Sequence, residues 1–409
     1  MAKCLLILIA VVYVGAAASP AAGEPPVSAA AQLFTCCTPE ALQERLFAEA
    51  EASGAEYVRV DVELHGIFDA AGSRDHPDWS HLDRMVELAS RHHVRLLGII
   101  RGTPAWLSDC PKREPPKVTI CAPRDPAEWG RLAGEVAAHA RGSIDHWEIV
   151  NEPDARWAFT GSAEDYARML RASYDAIKAR APEAQVVFGG VERPREHEWI
   201  ERVLATPGAD AVHAFDIAAV HLRLRLRNEL RELPEWLTAW RALLARHGFD
   251  GPIWVTEHGY PADPAFQWDP AYRGTDAASG GAAQAALLRD SIPLLAHAGA
   301  DQVFVTLRDN LYGEYLSEGL VHIDDAQPGD PAARRPAFDT VRDLALTWDP
   351  AVYRRSGASE QRRQSRELSR LAEDSTAAGH PLAAAVQAGA AEGHAEVALD
   401  LVRAAASEP

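Results

Sequence analysis

Two glutamates in this 409-residue chain stand where apolar runs stop. Glu152 closes H-W-E-I-V-N-E-P, and Glu257 directly follows P-I-W-V-T. Short apolar runs rich in β-branched and aromatic residues predict buried strands. A carboxylate at the end of such a strand belongs at the rim of a sheet. Two carboxylates at one rim can divide labour: one stays protonated and donates to a leaving oxygen, the other stays ionised and attacks the carbon left behind. That pairing cleaves a glycosidic bond, with retention when the groups are about 5–5.5 Å apart and inversion when they are farther apart. Of the neighbouring acids, Glu148 is mid-strand with the parity of Glu152 and reads as structural. Asp154 reads as a loop or cap residue.

The elements that must position these residues alternate along the chain. Strands are predicted at 57–62, 95–100, 146–150, 185–190, 216–222, 252–256 and 302–307, with a first strand ending at Gln32–Phe34. Helices are predicted from Thr38, and over 81–89, 126–140, 163–180, 234–247, 281–297 and 336–347. Such alternation implies parallel strands with right-handed crossovers. Eight repeats imply an α/β fold of the (β/α)8 TIM-barrel type over 28–350, with function at the C-terminal ends of the strands. By this count Glu152 and Glu257 end strands four and seven. No G-x-G-x-x-G follows the first strand, which argues against a dinucleotide site.

Composition bounds the partners. The formal net charge of −18 argues against nucleic acid, and 47% hydrophobic residues suffice for a large core. Lys3 followed by the apolar run Cys4–Ala18 reads as a signal peptide over 1–22. The competing reading, a membrane anchor, needs ~20 apolar residues. The expectation is therefore a secreted, periplasmic or cell-envelope protein without stable membrane insertion once the signal is removed. Cys36, Cys37, Cys110 and Cys121 then allow three pairings. A Cys110–Cys121 bridge would contribute about 3 kcal/mol, and cross-pairing is equally allowed. No C-x-x-C accompanies them, so neither a metal nor a cofactor is expected. Residues 351–409 form an Arg/Ala-rich extension, partly helical or disordered, with no aromatic residue after Tyr353.

The motifs resemble those of the clan A retaining glycoside hydrolases. N-E-P and W-V-T-E-H-G-Y carry the likeness, 105 residues apart from Glu152 to Glu257. G-A-E-Y-V-R-V-D, W-S-H-L-D-R-M-V, G-T-P-A-W, V-F-G-G and E-G-L-V-H-I-D extend it over roughly 54–345. Within the clan the chain is most similar to the β-xylosidase and α-L-iduronidase family, including its bacterial exopolysaccharide-cleaving members, with the cellulase and mannanase family next. The resemblance implies a carbohydrate substrate, Glu152 as acid/base and Glu257 as nucleophile. It implies that Asn151 binds the sugar 2-hydroxyl, that Arg59 lies beside the nucleophile, and that His221 is the strand-six histidine. Trp106, Trp157 and Tyr260 are candidate sugar-binding aromatics.

The chain departs from the clan pattern at three places in the fold. Arg223 stands where a tyrosine often contacts the nucleophile, Thr306 and Leu307 stand where strand eight often ends in an aromatic, and Leu64 replaces an aromatic after strand two. In H-L-R-L-R-L-R, Arg223, Arg225 and Arg227 share one face with His221. This suggests either a cationic wall for an acidic or anionic glycan or a solvated loop paired with Glu229 and Glu232. The departures also keep open a non-catalytic glycan-binding barrel of the cell envelope.

Overall fold

The computed structural model describes residues 27–30, 39–69, 76–108, 121–192, 197–223, 230, 232–267, 273–309, 316–322 and 333–347, with scattered positions between 366 and 377. In chain order the elements are β1 (Val27–Ala30), α1 (Glu40–Ala52), β2 (Tyr57–Glu63), α2 (Leu64–Asp69), α3 (Ser80–Arg91), β3 (Arg95–Arg101), α4 (Pro126–His139), β4 (His146–Ile149), α5 (Ala163–Arg180), β5 (Gln185–Phe188), α6 (His197–Leu204), β6 (Ala218–His221), α7 (Glu232–Arg246), β7 (Ile253–His258), α8 (Ala277–His297), β8 (Gln302–Thr306), β9 (Val321–His322), β10 (Ala333–Arg334) and α9 (Pro336–Thr347).

Eight strands pair in the order β5-β4-β3-β2-β1-β8-β7-β6, and every pairing is parallel. The two ends of that row meet through the parallel bridges Val187–Ile217 and Val191–Val220, with Phe188 N donating to Ile217 O at 2.9 Å. The fold is a (β/α)8 barrel, as the alternation of elements implies. The described first strand, β1, is Val27–Ala30, and the expected strand end at Gln32–Phe34 falls outside the described residues. V-S-A-A has little strand character of its own and is a strand because it fills the gap between β2 and β8.

Helix starts follow their capping chemistry. Asp125 accepts from Ala127 N and Glu128 N ahead of Pro126, and Ser162 and Asp165 form a reciprocal capping box at α5. The short helices α2 and α6 carry too few turns for a periodic signal and are absent from the sequence reading.

Inside the barrel, alternation along β2 sets the layers. Tyr57 joins Trp254 and Phe304 in an apolar cluster at the N-terminal end of the strands, and His146 stacks on Trp254 at 4.9 Å. Arg59, two residues along β2, enters a charged layer above that floor. Asp61 follows and pairs with Arg101 at 3.1 Å. The floor closes the barrel to water from below, so the charges above it interact in a poorly screened space. Of the extension after 350, only positions between 366 and 377 are described, and these are helical and exposed.

Candidate active site

β4 delivers Glu152 through a strained turn. Val150 and Glu152 have φ of 63° and 48°, in the left-handed region that β-branched residues above all avoid. Such geometry costs of the order of 1–3 kcal/mol per residue and persists only where its surroundings enforce it. Here Val150 N donates to Ile100 O at 3.0 Å and Glu152 N to Gly190 O at 3.0 Å. Tyr166 OH donates to Ile149 O at 3.0 Å and accepts from Gly189 N at 2.9 Å. Gly189 is required at that point, since a Cβ there would lie 2.2 Å from Val150 O. Asp154 Oδ1 accepts from Glu192 N at 3.0 Å and so ties the loop after β4 to the segment after β5.

Glu257 arrives by a different device. Trp254 already faces the barrel interior, so strict alternation would turn Glu257 outward with Val255. The register of β7 slips against both β6 and β8 around this point. Such a bulge re-aims side chains. Glu257 consequently points inward, while His258 turns to bond Leu222 O and Ser291 Oγ, each at 2.7 Å.

The two glutamates meet around a buried ion network. Arg59 grips Glu148 through Nε and Nη2 at 2.8 and 2.9 Å, Glu257 Oε1 through Nη1 at 2.7 Å, and Asn151 Oδ1 through Nη2 at 2.6 Å. Glu148 therefore serves the strand layer, as its parity suggests, and also accepts from Gly190 N at 2.9 Å. Arg223 Nε and Nη2 reach Glu257 Oε2 at 3.0 and 2.5 Å. Its Nη1 pairs with Glu318, a residue the sequence reading did not single out. His221 Nδ1 lies 2.7 Å from Glu152 Oε1 and 3.5 Å from Glu257 Oε2. One oxygen of each glutamate and one nitrogen of His221 lie within 4.8 Å of one another.

Burial and charge separate the two carboxyls. Burial pushes Glu152 well above the ordinary carboxylate range, and the negative charge of Glu257 adds to the effect. Burial alone would raise Glu257 too, but the Arg223 and Arg59 guanidiniums beside it reverse this and hold it below its ordinary value. The two guanidiniums are permanently charged and suffice for that direction. Burial holds His221 neutral, lowering it to about 4. Neutral His221 and protonated Glu152 share a single hydrogen bond through Nδ1 and Oε1. Glu152, Glu257 and His221 could in principle ligate a metal. However, both Glu257 oxygens already accept from guanidinium groups, and a divalent cation would be repelled by them.

The remaining candidates divide. Tyr260 is 3% exposed and packs in the hydrophobic core, where its carbonyl accepts from Gln284 Nε2. Trp106 is half-buried and packs against the same core. Trp157 is 58% exposed in the loop that follows Glu152. Arg225 and Arg227 lie outside the described residues. Asp309 pairs with Arg335 through two contacts of 2.7 Å and accepts from Gly319 N at 2.9 Å, fixing the segment that carries Glu318.

The fold and site thus define a barrel with an acid and an anion facing each other at the C-terminal ends of strands four and seven. No family model matches the chain, and no curated protein matches it. Solved structures do. One is a family 39 glycoside hydrolase from the gut symbiont Bacteroides cellulosilyticus WH2, with TM-score 0.59 and 14% identity over 79% of this chain and 64% of that one. The GH39 enzyme of Xanthomonas axonopodis pv. citri matches with TM-score 0.60 and 17% identity, over 81% and 68%. A GH39 β-xylosidase from Caulobacter crescentus matches with TM-score 0.60 and 16% identity, over 82% and 74%. The chain spans less than two thirds of the length of the first of these. At such identities the likeness is one of fold.

Proposed function

We propose that the chain is a glycoside hydrolase that cleaves a β-linked oligo- or polysaccharide with retention of configuration. The observation that carries this reading is the Glu152–Glu257 pair, protonated and ionised respectively, with oxygens within 4.8 Å. That closeness favours retention, for which the carboxyl groups lie about 5–5.5 Å apart, over inversion, which uses about 6.5–9.5 Å. Glu257 attacks the anomeric carbon while Glu152 protonates the departing oxygen; the glycosidic bond breaks and an ester to Glu257 forms. Glu152, now ionised, takes a proton from water, which attacks the anomeric carbon, breaks its bond to the Glu257 oxygen and releases Glu257 as a carboxylate. Asn151, held by Arg59, is assigned to the 2-hydroxyl, and the exposed face of Trp157 to a neighbouring sugar.

The expectation of an anionic glycan rested on three arginines. Arg223 is engaged by Glu257 and Glu318, so its charge is compensated. We therefore propose a neutral sugar at the cleaved position and leave any anionic contact to Arg225 and Arg227. We also propose export by residues 1–22 and a disulfide involving Cys121, whose candidate partners lie outside the described residues.

Aryl 2-deoxy-2-fluoro glycosides test the mechanism. Mass spectrometry of the inactivated protein should place the sugar on Glu257. Glu257→Ala should lose hydrolysis and regain turnover with azide. Full activity of Glu257→Ala without azide would end this reading, and glycan binding without hydrolysis would favour the non-catalytic barrel.

A further inference from the structure

Two positions where the chain departs from the clan pattern lie together in the structure. Arg223, at the end of β6, contacts Glu257, and Thr306, at the end of β8, donates to Glu318 Oε2 at 3.3 Å. Glu318 joins them, since its carboxylate also pairs with Arg223 Nη1.

Glu318 is rigidly presented. It is 2% exposed, and its backbone carbonyl accepts from Gln284 Nε2 at 3.0 Å. Next to it, Gly319 N donates to Asp309, and Gly319 O accepts from Arg335 at 2.6 Å. Gly259, two residues beyond Glu257, has no space for a side chain, because a Cβ there would lie 2.6 Å from the Glu318 carboxyl carbon.

We propose that Glu318 is a positioning residue that holds Arg223 against Glu257 and compensates its charge whenever Glu257 is consumed as an ester. The proposal rests on the glycosidase reading above. Its logic is a charge count. Glu257 is flanked by two guanidiniums, and each has a second carboxylate: Glu148 for Arg59 and Glu318 for Arg223. When Glu257 becomes an ester it stops compensating either cation. Arg59 retains Glu148, and Arg223 retains Glu318. Without Glu318, ester formation would leave Arg223 as a buried cation with its main counter-charge gone, which is costly. Uncompensated, Arg223 would also bind the free nucleophile too tightly and pull Glu152 towards ionisation.

The groups facing the two glutamates are Arg59 from β2, Glu148, Asn151 and Asp154 on and after β4, Glu192 after β5, and His221 and Arg223 on and after β6. Glu318 acts on Glu257 through Arg223.

The test is a double-mutant cycle on the full chain with Glu318→Gln, Arg223→Gln and the double variant. On an aryl β-glycoside panel, Glu318→Gln should lower kcat/KM about tenfold and move the alkaline limb about one pH unit lower. In the Arg223→Gln background the same change should matter less than about twofold. Glu318→Asp should recover part of the loss, and it replaces Glu318→Gln in both readouts should that variant not fold. Independently of turnover, infrared titration of the Glu152 carboxyl, identified by difference from Glu152→Gln, should show the same downward shift. If wild type hydrolyses nothing but this shift appears, the glycosidase reading falls and the Glu318–Arg223 relay stands. If hydrolysis occurs but neither the titration nor the alkaline limb moves, or both backgrounds lose equally, the relay is overturned.

Discussion

Arg59 gives Glu257 one nitrogen, at 2.7 Å, and gives Glu148 two. The nucleophile is thus held by a cation whose position is fixed mainly by another carboxylate. Removing one partner of a buried pair leaves an uncompensated charge and costs about 3–5 kcal/mol. Glu148→Gln is therefore expected to lower unfolding free energy by about 3 kcal/mol, and to reduce kcat as Arg59 loses its seat. Denaturant unfolding and steady-state kinetics on one preparation check both. Unchanged stability would mean that Glu257 alone fixes Arg59.

The opposite shifts of Glu152 and Glu257 dictate the shape of the pH profile. Activity requires Glu152 protonated, so kcat/KM should fall as pH rises through its elevated value. Activity also requires Glu257 ionised, and its depressed value puts the acid limb below the ordinary carboxylate range. In Glu152→Gln the alkaline limb should disappear, while substrates with good leaving groups retain most of their glycosylation rate. An alkaline limb persisting in that variant would assign the general acid elsewhere.

Gly190 bears on both halves of the site. A Cβ there would lie 2.2 Å from His221 Nε2 and 2.6 Å from Thr256 Oγ1. Gly190→Ala is expected to push the His221 ring, which contacts Glu152, out of its place. Overpacking of this kind costs about 1–3 kcal/mol, and a displacement approaching 1 Å at the reacting groups can cost about a hundredfold in rate. Thermal unfolding and kcat are the measurements. A variant with wild-type kcat would mean that His221 does not set the geometry of the acid.

The barrel and the strand-end positions of Glu152 and Glu257 were legible because they depend on local pattern: apolar runs that stop and helices that alternate. Arg59 was singled out only by the resemblance. What the sequence concealed depends on backbone irregularity and long-range contact. The bulge that turns Glu257 inward leaves no compositional trace in W-V-T-E-H. The left-handed backbone at Val150 is unexpected for a β-branched residue and is imposed by Gly189 and Tyr166 from beyond the strand. Glu318 lay inside a motif that carried the resemblance, yet only the position of Arg223 shows what it faces. Arg223 itself was conspicuous, but a charge run reads the same whether it meets substrate or a buried carboxylate.

His258 supplies a stability prediction whose sign can be worked out. Burial holds it neutral, lowering it from 6.5 to about 4 while it bridges Leu222 O and Ser291 Oγ. The unfolded chain takes up a proton below about 6.5, and the folded chain resists until about 4. Its contribution is therefore complete above the unfolded value and lost as pH falls between the two, by roughly 3 kcal/mol at most. His221 shifts the same way, but its contact with Glu152, which shifts upward, mixes the two titrations. His258→Gln keeps a donor and an acceptor at the bridge without titrating. It should be less stable than wild type at pH 7, and the gap should narrow as pH falls towards 4. Denaturant midpoints at pH 7, 5.5 and 4 read this directly, and parallel curves for the two proteins would show that His258 titrates alike in the folded and unfolded chain.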